Sequence, residues 1–164
     1  QTLVDVSIKA RDDCGASNED AACAAAARLV AVMASHDDTT VKHVENSARR
    51  GMKLAEFPTT IEAARACREG GVAIMMGAPN LMRGGSHSGN VSALELAKQD
   101  LLDVISSDYV PAALLQSALM LAQLWGDLPR AMRTVSTNPA SAAGLQDLVR
   151  HCEQGHHCAS SGNG

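Results

Sequence analysis

Aromatic side chains are scarce in this chain of 164 residues: one Phe, one Tyr and one Trp, 2% of the total. A core without rings must be aliphatic, and Ala, Val, Leu, Ile and seven Met raise the hydrophobic share to 46%, enough for one domain. The same scarcity excludes a stacking platform for single-stranded nucleic acid. Clustered positive charge is also missing. Fourteen Lys and Arg stand against 18 Asp and Glu, net charge -4, with no basic block of four, so there is no electrostatic footprint for nucleic acid. A phosphorylated small molecule remains compatible, because local backbone N–H groups can outweigh a mild global charge. No apolar run of spanning length and no signal peptide are visible, so the expectation is a soluble cytoplasmic protein with no membrane partner. The five cysteines, Cys14, Cys23, Cys67, Cys152 and Cys158, are odd in number and form no C-x-x-C. Cys23 and Cys67 lie in Ala-rich, helix-like stretches and read as buried free thiols, which fits a reducing compartment.

What is present is alternation of short apolar runs with amphipathic segments. Residues 3–8 alternate like a strand, and residues 29–34, 52–57, 72–76 and 101–107 are the other strand candidates, five at most. The run 29–34 is continuously apolar, as in a strand covered on both faces. Helices are expected over residues 19–28, 40–50 and 61–69, from about 90 to 98, and over most of 111–148. Gly51 and the pair Gly70-Gly71 are stops, and Thr59 or Thr60 is a cap. Residues 77–90 read as a Gly-rich loop. Strand–helix repetition at this spacing means right-handed βαβ units and a parallel sheet, either an open doubly wound sheet or an arc of a (β/α) barrel. Both architectures put ligands at the carboxyl ends of strands. Polar groups stand at those ends here: Ser35-His36-Asp37-Asp38, Glu56-Phe57-Pro58-Thr59-Thr60, Gly77-Ala78-Pro79-Asn80 and Ser107-Asp108-Tyr109.

Each of these groups has a bland and a functional reading. Imidazole and carboxylate at His36, Asp37 and Asp38 can bind a divalent metal, or the two Asp can cap the following helix. Asp108 can bind a metal or accept a proton from a metal-bound water, or it can cap a helix ahead of Pro111. Arg83-Gly84-Gly85-Ser86-His87-Ser88-Gly89-Asn90 is the most unusual segment. Its glycines allow an anion nest, Arg83 can fork onto phosphate, and a helix start follows. It has neither nucleotide P-loop nor dinucleotide spacing. The tail from residue 149, with His151, Cys152, His156, His157 and Cys158, matches no structural zinc spacing and reads as a flexible end.

Taken together, Ala34-Ser35-His36-Asp37-Asp38, Ala55-Glu56-Phe57-Pro58-Thr59-Thr60, Met76-Gly77-Ala78-Pro79-Asn80 with the Arg83–Asn90 segment, and Ser106-Ser107-Asp108-Tyr109 resemble successive signatures of one family. It is the diphosphatase family acting on ribose 1-methylphosphonate 5-triphosphate in the carbon–phosphorus lyase pathway, within the amidohydrolase superfamily. The likeness covers roughly residues 18–145 and is to the C-terminal part of the family. It implies a metal-dependent TIM-type (β/α)8 barrel, incomplete here, that releases pyrophosphate and leaves the 5-phosphate. It further implies Asp108 as the last-strand aspartate, catalytic and metal-binding, and His36 as a strand-end ligand for a divalent ion, Zn or Mn. Asn80, Arg83, Gly84, Gly85, Ser86, His87 and Glu56 would hold the phosphorylated substrate. Residues 1–148 would form the partial barrel domain and 149–164 the tail. A complete barrel takes about 250 residues, so an arc with wet edges should associate as a homo-oligomer. The readings to be separated are a phosphoanhydride hydrolase, a non-catalytic α/β domain that binds phosphate or only itself, and an unrelated doubly wound binding domain.

Overall fold

The computed structural model describes residues 2–85 and 89–146, without the side chains of Arg11 and Asp12. The chain opens with α1 (Leu3–Leu29), a helix of 27 residues. This corrects the strand expected over residues 3–8 and extends the helix expected over 19–28. The reason is local: the Thr2 hydroxyl accepts from the Asp5 N–H, and the Asp5 carboxylate accepts from the Thr2 N–H, a capping box that starts the helix. Leu3, Val4, Val6 and Ile8 remain exposed, so no partner sheet competes for them. Arg50 anchors the far part of α1 through Glu19 and Asp20, both at 3.1 Å.

Regular βα units follow: β1 (Ala34–His36), α2 (Val41–Arg49), β2 (Leu54–Glu56), α3 (Ile61–Glu69), β3 (Ala73–Gly77), α4 (Ala78–Arg83), α5 (Ala93–Lys98) and β4 (Val104–Ser106). Then come α6 (Ala113–Trp125), α7 (Leu128–Arg133) and α8 (Thr137–Ala142). The hydroxyls of Thr40, Thr60 and Ser92 cap α2, α3 and α5 by accepting from the N–H groups of His43, Ala63 and Glu95. Thr40 therefore does what was offered to Asp37 and Asp38. The doubly apolar strand expected over 29–34 is a further correction. Val30 ends α1 in the left-handed region, and Leu29, Val30 and Val32 are exposed, so β1 begins only at Ala34. The expected Gly-rich loop is also partly wrong. Pro79 sits in the first turn of α4, where its missing N–H costs nothing, and Gly84 ends that helix at φ 72°.

The strands are all parallel, in the order β1-β2-β3-β4. A doubly wound sheet needs a reversal of strand order, and these four strands have none. Successive neighbours are the order of a barrel arc. The count is four among the described residues, one fewer than the maximum expected, because the first candidate strand is helical.

One sheet face presents Ser35, Ala55, Ile74, Met76 and Ile105, all buried, toward the helices. The core there is aliphatic, with Ile74, Leu96 and Leu121 at 0% exposure. The opposite face carries Ala34, Leu54, Glu56, Met75 and Val104, which share a hollow with Pro139, Ala142 and Ala143. The edge of β4 is not bare: Ile105 N–H donates to the Thr134 carbonyl at 2.9 Å, and Asn138 Nδ2 donates to the Asp103 carbonyl at 2.8 Å. Part of the wet surface behind the expected self-association is thus covered within the chain. Among the described residues no helix is long and apolar enough to cross a membrane.

Cys67 is fully buried against this core, and burial pushes its thiol from 9.0 up to about 11, with the Asp38 carboxylate as a lesser cause. A thiol raised in the folded state leaves stability intact below the unfolded value and removes it as pH climbs through the folded one. Stability should therefore decline between about pH 9 and about pH 11, by an amount that Cys67→Ala abolishes in urea melts followed across that range. An identical decline in Cys67→Ala would assign it to other groups.

Candidate functional site

The carboxyl ends of the strands surround a cleft of about 410 Å³. Of the residues singled out from the sequence, His36, Asn80, Arg83, Gly85 and Asp108 line it. Glu56 does not: it ends β2 in register with His36 and Met75 but lines the hollow on the other sheet face. Gly84 is not in the lining either, and its N–H donates to the Leu81 carbonyl as the cap of α4. Ser86 and His87 lie outside the described residues, as does the Cys/His tail with the proposed boundary at 148. The anion site expected at the following helix start is occupied internally. Asn80 Oδ1 accepts from the Ala93 N–H at 2.8 Å, and Ser92 takes Glu95.

His36 is the last residue of β1, and its Nδ1 lies 3.0 Å from Asp37 Oδ2. Both side chains are more than half exposed, so the pair adds little stability; its effect is to orient the ring and leave Nε2 for a ligand. The ring also packs on Phe57, centroids 5.3 Å apart. Asn80, with its carbonyl oxygen engaged, keeps its amide Nδ2 as a donor. The guanidinium of Arg83 stands 5.6 Å from the centre of the Tyr109 ring, within cation–π range. Asp38, by contrast, is buried, accepts from Ser35 Oγ at 2.6 Å and Ser47 Oγ at 3.5 Å, and ties β1 to α2.

Three cleft residues adopt the left-handed region without being glycine: Asp37 at φ 59°, Phe57 at 53° and Asp108 at 51°. Each costs on the order of 1–2 kcal/mol for a side chain with a Cβ. Two are held there by extensions of the sheet ladder, Asp37 N–H to the Glu56 carbonyl and Phe57 N–H to the Met75 carbonyl, both 3.0 Å. Val30 and Asp100 take the same region away from the cleft, so three of the five such residues among those described stand at this rim. Phe57, Tyr109 and Gly77 are the parts that the functional reading of the sequence left out. The positive φ of Phe57 has no compositional signal.

The cleft's donor set answers the metal expectation only in part. Among the described residues, no group of three or more His, Cys, Asp or Glu could hold an ion, so His36 and Asp108 do not make a metal centre by themselves. A structural or catalytic zinc site takes at least three protein ligands.

Consecutive parallel βα units, with a polar cleft at their carboxyl rim, define an α/β protein built on a single parallel sheet. The chain is similar to alpha-D-ribose 1-methylphosphonate 5-triphosphate diphosphatase of Escherichia coli strain K12, 52% identical over 134 residues. The match takes in 80% of the chain and 35% of the relative, so the chain spans about a third of that protein's length. A match of that extent must include all four strand-end segments, which lie between Ala34 and Tyr109, and the resemblance read from them holds. No protein-family model and no solved structure matches the chain.

Proposed function

We propose that the cleft grips the phosphate chain of a phosphorylated small molecule, as a share of a diphosphatase site of phosphonate metabolism. The relative's name points to α-D-ribose 1-methylphosphonate 5-triphosphate as the substrate of a diphosphatase; release of pyrophosphate, leaving the 5-phosphate, is the reaction proposed with it. The observation that supports this is the meeting of Arg83, Asn80 and Gly85 with His36 and Asp108 around one cleft. Arg83 supplies charge and a forked donor set, Asn80 an amide, and Gly85 backbone that an oxygen can approach closely. Ser86 and His87 continue the same segment. Asp108 is the base in this reading, and His36 with Asp108 would be two of the donors to a Zn or Mn ion.

Arg83, Asn80 and Gly85 can hold an anion without a metal, whereas no group of three metal donors forms among the described residues, so binding should outlast catalysis. That favours a phosphate-binding α/β domain for the chain taken alone. We expect it to bind inorganic tripolyphosphate in calorimetry and to release little or no pyrophosphate from the ribose methylphosphonate triphosphate, even with added Mn²⁺ or Zn²⁺. Asp108→Asn removes a negative charge beside the anion and should leave metal-free tripolyphosphate binding equal or stronger. Robust pyrophosphate release that Asp108→Asn abolishes would show a complete catalyst; failure to bind tripolyphosphate would overturn the reading.

A further inference from the structure

Gly77 closes β3 at φ -79°, a backbone conformation open to any residue, so its lack of a side chain needs a cause other than dihedral freedom. The cause lies in its neighbours. A Cβ at this position would stand 2.9 Å from Asp108 Oδ2, 3.3 Å from Asp108 Cβ and 3.3 Å from Phe57 Cε1. These atoms belong to the two left-handed residues that flank β3, on β2's end and beyond β4. Phe57 in turn carries the His36 ring at 5.3 Å. The missing methyl is therefore the space into which both Asp108 and Phe57 settle, and through Phe57 it reaches His36.

The geometry points to Gly77 as the positioning residue of the cleft: its bare α-carbon sets the seats of Asp108 and Phe57 and, through them, the separation of Asp108 from His36. Glycine serves here by close approach. Neither Asp108 nor Phe57 can retreat easily, because each backbone is already in a sparsely allowed region. An added Cβ has to push the carboxylate into the cleft or displace the aromatic ring from under His36. The role in ligand binding rests on the phosphate-cleft reading above; the steric coupling does not.

The test compares four forms of the full chain: wild type, Gly77→Ala, Asp108→Ala and the double variant. Thermal melts, tripolyphosphate calorimetry and the imidazole NMR signal of His36, assigned with His36→Gln, are measured on each. Gly77→Ala should weaken tripolyphosphate binding by about tenfold, because the Asp108 carboxylate is pushed toward the anion, and should shift the His36 signal as Phe57 moves. In the Asp108→Ala background the same substitution should cost less than about threefold, since the tightest contact is gone. A purely structural glycine would give the same loss in both backgrounds and leave the His36 signal in place, and that result overturns the proposal. If Gly77→Ala alone does not fold, recovery of a cooperative melt in the double variant supports the coupling and no recovery refutes it. If wild type does not bind tripolyphosphate, the function reading fails, while the His36 signal and the melts still decide the role of Gly77.

Discussion

Ile74→Ala should destabilise the protein by about 2–5 kcal/mol, the usual cost of emptying a fully buried aliphatic site. Ile74 is at 0% exposure in the central part of the sheet and faces the helices. Its backbone is also clamped: the N–H donates to Asp103 Oδ2 at 2.9 Å, and its carbonyl accepts from the Asp103 N–H at 3.0 Å. The β2 side is held through Ala73 N–H to the Lys53 carbonyl and Phe57 N–H to the Met75 carbonyl, so the surroundings cannot collapse into the space, which puts the loss toward the upper part of that range. For a protein of this size the melting temperature should drop by roughly 10 °C. The next residue, Met75, faces the other way and is only half buried. Met75→Ala should cost about 1 kcal/mol, the centre of the distribution for ordinary substitutions. Urea melts with an unchanged slope measure both. Equal losses at the two positions would mean that both sheet faces are equally dry, and the assignment of the core to the helix side would be wrong.

The fold was legible in advance where the signals were chemical and local. Thr60 ahead of Ile61, Gly70-Gly71 after Glu69, and the apolar run into Met76 located α3 and β3 almost to the residue, because a hydroxyl cap and a left-handed stop act within one turn. The first 29 residues were not legible as one helix. Val4, Val6 and Ile8 alternate, and period two outweighed a shorter signal, the Thr2-x-x-Asp5 capping box. Alternation predicts a strand only where a sheet waits to pair with it, and here those side chains stay in solvent. Pro79 misled in a similar way. Between Gly77 and Gly84 it looked like loop chemistry, yet in the first turn of a helix a proline is an initiator.

His36, Glu56, Asn80 and Asp108 were found by their position after each apolar run, and Arg83 by the Gly-rich segment it opens. Glu56 satisfied the same rule and stands at the same rim in register with His36, but it lines the hollow that Ala34 and Leu54 share, whereas His36, tied to Asp37 and packed on Phe57, lines the cleft. Position along a strand was readable; the turn of a left-handed residue was not. Asp37, Phe57 and Asp108 are turned by φ values near +55° that no composition encodes, and Gly77 matters for atoms that come to it from 20 and 31 positions away in the chain.

Arg83→Ala should weaken tripolyphosphate binding by about tenfold to a hundredfold, the equivalent of one charge-assisted hydrogen-bonding group at about 1.5–3 kcal/mol. Among the cleft-lining side chains His36, Asp37, Asn80, Arg83 and Asp108, Arg83 is the permanent cation, and it works against two carboxylates. An anion entering the cleft must therefore meet the guanidinium to overcome Asp37 and Asp108. Arg83→Lys keeps the charge but loses the planar fork, so it should fall between wild type and Arg83→Ala. Tyr109→Leu removes the ring lying 5.6 Å from the guanidinium and should cost about threefold, since it removes orientation and leaves charge in place. Arg83 is exposed, so wild-type affinity should also fall as salt is raised, and the salt slope should flatten in Arg83→Ala. Calorimetry of the four proteins at two ionic strengths reads all of this. If Arg83→Ala binds as tightly as wild type with the same salt slope, the anion is held elsewhere and the cleft is not the phosphate site.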